Sequence, residues 1–156
     1  MSNDLKIELS QHYLSGIPGI DAQHKEIFLT LDGFINSLKD EKLPRDIVYA
    51  TLQELYEHVR SHIFTEENLL DMISFPRAED HKAQHRNFIN LVTEEMKIIR
   101  ETDYDKICRF MRSYRNIGLN HIAVFDHEYA EYITTLMSRK KKQSIVSLRE
   151  EQAEAV

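Results

Sequence analysis

Seven side chains of types that bind metals lie on the apolar faces of the long periodic segments of the chain. They fall into four groups, namely His24 alone, His62 with Glu66, His81 with His85, and His121 with Asp126. Such groups are costly to bury on a helix unless they are paired or bind a metal. Five imidazoles and two carboxylates exceed the ligand set of one structural zinc ion. They match two iron ions joined by bridging carboxylates, so the sequence predicts a di-iron centre.

The spacing within two of these groups suits a shared metal centre. Residues four apart project from the same helix face, so each of the pairs His62/Glu66 and His81/His85 can reach one centre. Carboxylate-rich di-iron bundles use a different pattern, Glu-x-x-His with further glutamates, and the chain has no such set. The pattern therefore predicts a histidine-rich centre.

A five-residue step separates the last two candidate ligands. In a regular helix the step from His121 to Asp126 turns the chain by about 140° past one full turn, which would aim the two side chains apart. A single π-turn would realign them, and such turns concentrate at functional sites. We therefore expect an irregular helical turn between these two residues.

The ligand count predicts one open coordination position. Five histidine nitrogens, two bridging carboxylates and one shared oxo or hydroxo atom supply about 11 of the roughly 12 bonds that two octahedral metals need. A small ligand can bind at the remaining position. Two anionic side chains compensate little of the charge of high-valent iron, which favours ligand binding over difficult oxidation.

The rest of the sequence predicts an all-α fold, an up-down-up-down four-helix bundle. Prolines separate periodic segments that predict helices at 20–39, 46–73, 78–101 and 104–138, and the short connections make consecutive helices antiparallel. Thr102-Asp103 offers N-cap chemistry to the last helix. We expect one domain over residues 1–138, with an irregular N-terminal arm, and a polar C-terminal extension over 139–156, either a frayed helix or a flexible tail.

The predicted core follows the apolar stripes. It includes Phe28, Leu31, Leu52, Leu55, Val59, Leu69, Ile73, Phe88, Val92, Ile107, Phe110, Tyr114 and Ile117. The stripe of the second helix is interrupted only by His62 and Glu66. His12, His58 and His127 lie off the stripes and are predicted not to bind the metal. Glu67 is expected either to be solvated or to contact a metal ligand without binding the metal itself.

Composition narrows the function. The 156 residues carry a formal net charge of −6, which disfavours nucleic acid as a partner. The lone Cys108 excludes an internal disulfide and suits a reducing compartment. We find no apolar leader and no stretch long enough to span a membrane, so the sequence predicts a cytoplasmic protein without a membrane span.

The chain resembles the hemerythrin family, in particular its stand-alone bacterial members. The resemblance covers residues 9 to about 137 and rests on Gly16-Ile17-Pro18, Ile20-Asp21-Ala22-Gln23-His24, His62-Ile63-Phe64-Thr65-Glu66-Glu67, Phe75-Pro76, His81-Lys82-Ala83-Gln84-His85, and His121-Ile122 with Asp126. The family implies a non-haem di-iron centre that binds O2 reversibly. It further implies one iron on His81, His85 and His121, a second on His24 and His62 with the open position, and Glu66 and Asp126 as bridges.

Two positions depart from the family pattern. Leu9 replaces a common tryptophan, and Ile117-Gly118 replaces a bulky Trp-Leu pair one turn before the last ligand histidine. Gly118 then serves either close helix packing or a roomier ligand pocket.

Three classes of function remain open at this point. The leading one is a binding protein that carries, stores, delivers or senses O2, with an unidentified protein partner as receiver of O2 or of a signal. The second is an enzyme that reduces peroxide or nitric oxide or consumes O2, and the third is iron storage or the repair of iron centres. The chain shows no acid–base pair beyond the ligands and no cofactor motif, which favours a binding protein over an enzyme.

Overall fold

Four long helical stretches form the fold, as predicted. The computed structural model describes residues 13–40 and 43–154, with side chains up to Ser144 except that of Asp40. Helix α1 spans Pro18–Ser37, α2 spans Arg45–Met72 and α3 spans Ala78–Ile98. The fourth stretch combines α4 (Tyr104–His121), a π-helical turn (Ile122–Asp126) and α5 (His127–Glu154). Short 3-10 segments at Leu38–Asp40 and Ile99–Glu101 extend α1 and α3.

The helices pack as neighbours of an up-down-up-down bundle. Helix α1 contacts both α2 and α4, and α2 contacts α3. The helices begin within two residues of the predicted positions. The last stretch continues beyond the predicted helix end at residue 138, since α5 extends to Glu154, which agrees with the helical alternative for the polar extension. Among the described helices, none has both the length and the apolar composition that a bilayer span requires.

Prolines and polar contacts define where the helices begin. Pro18 occupies the first turn of α1, where its missing N–H costs no helical hydrogen bond. Asp103 precedes α4, but its side chain makes no capping hydrogen bond, contrary to the N-cap prediction. The Thr102 hydroxyl instead donates to the carbonyl oxygen of Ile98 at 2.8 Å. Helices α1 to α4 therefore begin without a hydrogen bond from the side chain of the residue that precedes them.

The connection between α2 and α3 is a tight turn of the Schellman type. Ser74 adopts a positive φ of 51°, and the Phe75 N–H donates to the carbonyl oxygen of Leu70 at 3.0 Å. The Ser74 N–H donates to the carbonyl oxygen of Asp71, also at 3.0 Å. The Phe75 ring packs against Leu70, so the turn closes with an apolar contact. The turn places α3 back along α2 and brings His81 towards Glu66.

The core consists of two apolar clusters with a polar layer between them. The larger cluster includes Phe28, Leu31, Phe34, Leu52, Leu55, Val92, Ile107, Met111 and Tyr114. The smaller one contains Leu70, Phe75 and Tyr129. Along α2, His62 and Glu66 fall between Leu55 and Leu70, so the candidate ligands occupy the layer between the clusters.

Several predicted core positions are wrong in detail. On α2 Leu70 is fully buried, whereas Leu69 and Ile73 are partly buried and pack against the smaller cluster. On the fourth stretch Met111 is fully buried, while Ile117 is 38% exposed. Helix α4 therefore turns a slightly different face to the core than the strict 3–4 spacing predicted.

We expect Ile107→Ala to lower the free energy of unfolding by about 2–5 kcal/mol, because it removes a fully buried side chain from a packed cluster. Ile47→Ala is the matched control, since Ile47 is 49% exposed, and it should change stability by less than about 0.5 kcal/mol. Urea denaturation followed by circular dichroism measures both. Equal losses in the two variants would contradict the assigned core.

Candidate metal centre

All seven predicted site residues meet in the polar layer. The Nε2 atoms of His24 and His62 lie 3.0 Å apart. The Nε2 atom of His121 lies 3.0 Å from those of His81 and of His85. Six of the seven side chains are buried, and His121 is partly buried. Side chains from four separate parts of the sequence thus converge on one small volume.

The ligand atoms form two groups that share one carboxylate. One group contains Glu66, His81, His85 and His121, and the other contains His24, His62 and Glu66. Within each group the candidate ligand atoms lie within 4.8 Å of one another. Glu66 belongs to both, which is the position that a bridging carboxylate requires.

Asp126 also faces both groups. Its Oδ2 lies 3.4 Å from the Nε2 of His24, and its Oδ1 lies 3.1 Å from the Nε2 of His121. The Oε2 of Glu66 lies 3.6 Å from the Nε2 of His62 and 3.1 Å from that of His85. Each carboxylate is therefore within reach of histidines from both groups.

The donor set fits metal ions better than it fits a self-contained hydrogen-bond network. Three buried oxygens, Oε2 of Glu66 and both oxygens of Asp126, have no hydrogen-bond partner among the described residues. Such groups cost about 1–3 kcal/mol each if they stay unsatisfied. Nitrogens held at about 2.0–2.1 Å from a metal are about 2.9 Å apart at right angles and about 3.3 Å apart in a tetrahedron. The 3.0 Å separations are closer to the right-angled, octahedral arrangement.

A π-turn aligns the last two ligands, as predicted. The π-helical segment Ile122–Asp126 follows directly on His121, and the His127 N–H donates to the carbonyl oxygen of Ile122, five residues earlier. The additional residue in this turn brings Asp126 to the same side of the helix as His121. The five-residue step in the sequence is thus accommodated within one turn.

Burial keeps three of the histidines neutral in the metal-free chain. Desolvation, followed by the charge of His62, lowers the pKa of His24 to about 3. Desolvation lowers the pKa of His62 and of His121 to about 4 each, although the negative charge of Glu66 opposes the shift in both cases. A neutral imidazole has the free lone pair that a metal needs, so these rings are ready to coordinate at neutral pH.

The carboxylates differ in their proton affinity. Burial and the nearby charge of Glu66 raise the pKa of Asp126 well above its usual range. For Glu66 burial acts in the same direction, but the polar contacts of its Oε2 with His81 and His85, at 3.5 and 3.1 Å, outweigh it and lower the pKa. His85 has a raised pKa because its contacts with Glu66 and Glu67 outweigh burial. The pKa values of the two carboxylates are therefore shifted in opposite directions in the metal-free site.

Tyr129 is a site residue that the sequence analysis missed. Its side chain is fully buried, and its hydroxyl donates to the Oε1 of Glu66 at 2.6 Å. Burial and the charges of Glu66 and Asp126 raise its pKa, so it stays a phenol and a donor. Its spacing of three residues after Asp126 was the available signal, because that spacing places both side chains on one helix face.

Two further residues orient ligand rings from outside. The Nδ1 of His62 lies 3.2 Å from the carbonyl-type Oε1 of Gln23, which can only accept, so Nδ1 carries the proton. The Nδ1 of His85 lies 3.1 Å from Glu67 in the same way. Both contacts leave Nε2 free to bind a metal. The predicted supporting role of Glu67 agrees with this contact.

The other histidines lie outside the two groups of ligand atoms. His58 and His127 belong to neither group, and His12 lies outside the described residues. Leu9 of the N-terminal arm lies outside them as well.

An apolar cavity of about 150 Å³ adjoins the histidines. His24, His62, His85 and His121 form one end of it, and side chains of the larger apolar cluster line the remainder. Gly118 borders this cavity, yet a Cβ at this position would lie 3.1 Å from the Phe28 ring. The glycine therefore makes room for Phe28, which supports its packing role.

We expect the metal-free protein with His62→Leu to depend less on pH than the metal-free wild type. Between about pH 6.5 and pH 4 the unfolded chain binds a proton at His62 that the folded chain does not, so this group lowers stability as pH falls. The variant should reduce the slope of unfolding free energy against pH by up to about 1.4 kcal/mol per pH unit. Urea titrations from pH 4 to pH 8 measure the slope, and an unchanged slope would show that His62 is not neutral when folded.

Comparisons with known proteins agree with this geometry. The family model described as the hemerythrin HHE cation binding domain matches residues 15–133. A bacteriohemerythrin from Clostridium acetobutylicum is 32% identical over 93 residues, which cover 58% of this chain and 70% of the relative. A bacteriohemerythrin from Stenotrophomonas maltophilia is 29% identical over 119 residues, covering 76% of this chain and 75% of the relative. The match spans most of the chain and contains all seven converging side chains, and the chain therefore belongs to the hemerythrin family.

Proposed function

We propose that this protein holds two iron ions and binds O2 reversibly, as a carrier, store, donor or sensor. The observation that supports the proposal most directly is the division of the ligand atoms into two groups around a shared Glu66. A mononuclear site would need no such division. The names of both bacteriohemerythrin relatives are consistent with it.

We assign the ligands according to these two groups. His81, His85 and His121 would hold one iron, and His24 and His62 would hold the other, with Glu66 and Asp126 as bridges. The group with fewer histidines then has the open position. His24 and His62 both border the apolar cavity, so a ligand that enters the cavity would reach this iron.

The surroundings of the site suit a small uncharged ligand. When bound at this site, an iron pair would supply electrons to O2 on binding and take them back on release. The apolar lining next to His24 and His62 disfavours water and anions, which lose hydration there. The phenol of Tyr129 holds Glu66 in its bridging position, and Gln23 fixes the ring of His62. These residues position the ligands but offer no separate acid–base pair, which favours binding over turnover.

Other assignments remain predictions from the sequence. A cytoplasmic location rests on the single Cys108, and a protein partner that receives O2 or a signal has no residue assigned to it. Reduction of peroxide or nitric oxide and the handling of iron are the competing functions, and the experiments below separate them from O2 binding.

We expect the purified protein to contain two irons per chain and His121→Ala to lose at least half of them, because His121 lies at 3.0 Å from two other ligand nitrogens. His58→Ala is the matched control, since His58 is outside both groups, and it should keep full loading. Plasma mass spectrometry and circular dichroism measure metal content and folding. Full iron loading of the His121 variant, or zinc as the native metal, would overturn the assignment.

We expect the reduced protein to take up one O2 per two irons and to release it at low pressure without forming peroxide. Anaerobic titration with O2, followed by evacuation and a peroxide assay, measures the stoichiometry and reversibility. Peroxide or nitric oxide added to the reduced protein provides the comparison. Steady consumption of O2, peroxide or nitric oxide with an electron donor would identify an enzyme instead.

A further inference from the structure

The cavity beside the histidines is longer than a diatomic ligand requires. On α2 its lining runs from Ile63 to Leu52, which corresponds to about 16 Å of helix. On α1 it extends from His24 to Leu31. The histidine rings close one end, and Leu31, Leu52 and the neighbouring Val92 line the other. Most of the cavity therefore lies away from the ligand atoms.

This remote part of the cavity has no free polar group among its lining side chains. Only two of these carry a hydroxyl, and both hydroxyls bind residues of α3. Tyr114 donates to Glu95 at 2.7 Å, and the oxygen of Tyr56 lies 3.3 Å from that of Thr93. A buried water needs two to four polar partners, so this part of the cavity disfavours water.

The cavity has an exposed border between α3 and α4. Gln84 and Asn120 are exposed lining residues, and Ile117, which also lines the cavity, is 38% exposed. The two amides can contact water at this border. The exposed border therefore includes the residues next in sequence to His85 and His121.

We propose that this cavity is a binding site for an apolar organic molecule of about the size of benzene or a short alkyl chain. An engineered apolar cavity of about 150 Å³ stays dry and binds benzene or xenon, and the whole cavity here, its histidine end included, has about that volume. The part of the lining away from the histidines and the two amides supplies dispersion contacts and no free hydrogen-bonding group, so shape and apolarity select the ligand. This inference goes beyond the proposed function and depends on neither the identity of the metal nor O2 binding.

Benzene is the probe, and the metal-loaded protein as purified is the sample. We expect saturable binding of one benzene per chain, measured by NMR titration and by a rise in the melting temperature. Val92→Phe places a ring in the cavity and should weaken binding by at least about tenfold. Leu91→Phe is the matched control, because Leu91 is adjacent but 41% exposed and does not line the cavity, and it should bind benzene as the wild type does.

A second variant covers the case in which Val92→Phe does not fold. Leu55→Ala removes volume from the lining and should bind butylbenzene at least about tenfold more tightly than the wild type does. Failure of the wild type to bind benzene saturably would overturn the proposal. It would also be overturned if Leu91→Phe and Val92→Phe weakened binding equally, or if Leu55→Ala left the preference for butylbenzene unchanged. Iron loading and O2 uptake are measured in separate experiments, so the benzene and butylbenzene results can be interpreted independently of them.

Discussion

The burial of seven side chains of metal-binding types in one layer is the constraint on which the rest of the structure depends. Water would solvate these groups in the unfolded chain, and the bundle replaces that water with few hydrogen bonds of its own. The unpartnered oxygens of Glu66 and Asp126 show the cost directly. Two large apolar clusters on either side of the layer offset it, and a bound metal would compensate the rest. Metal binding and folding are therefore thermodynamically linked in this protein.

Polar side chains next to this layer hold some of the candidate ligands in position. Gln23 and Glu67 accept from the outer nitrogens of His62 and His85, which directs the inner nitrogens to the centre. Tyr129 supports Glu66 in a similar way, because its hydroxyl donates a hydrogen bond to the Glu66 carboxylate. Three of the candidate ligands, His62, His85 and Glu66, thus have a supporting contact from a neighbouring polar side chain.

Much of the fold and the location of the site followed from the sequence, because spacing determines which side chains share a helix face. The π-turn at Ile122–Asp126 could be predicted since a five-residue step has few other solutions. Tyr129 could not, because a tyrosine on an apolar stripe is usually just core. The exposure of Ile117 and the burial of Met111 depend on the rotation of α4 against its neighbours, which no local pattern specifies. The cavity is likewise a property of four helices together.

The π-turn also has a consequence for how the chain tolerates insertions and deletions. Every residue after Asp126 has its orientation set by the one residue that this turn absorbs. Deleting one residue from the turn would restore a regular helix and leave the orientation of α5 unchanged. Straightening the turn without a deletion would instead rotate α5 by about 100° and move Tyr129 away from Glu66. The smaller apolar cluster would then lose Tyr129. The orientation of a candidate ligand, its supporting phenol and one end of the core therefore all depend on the extra residue being absorbed in this turn.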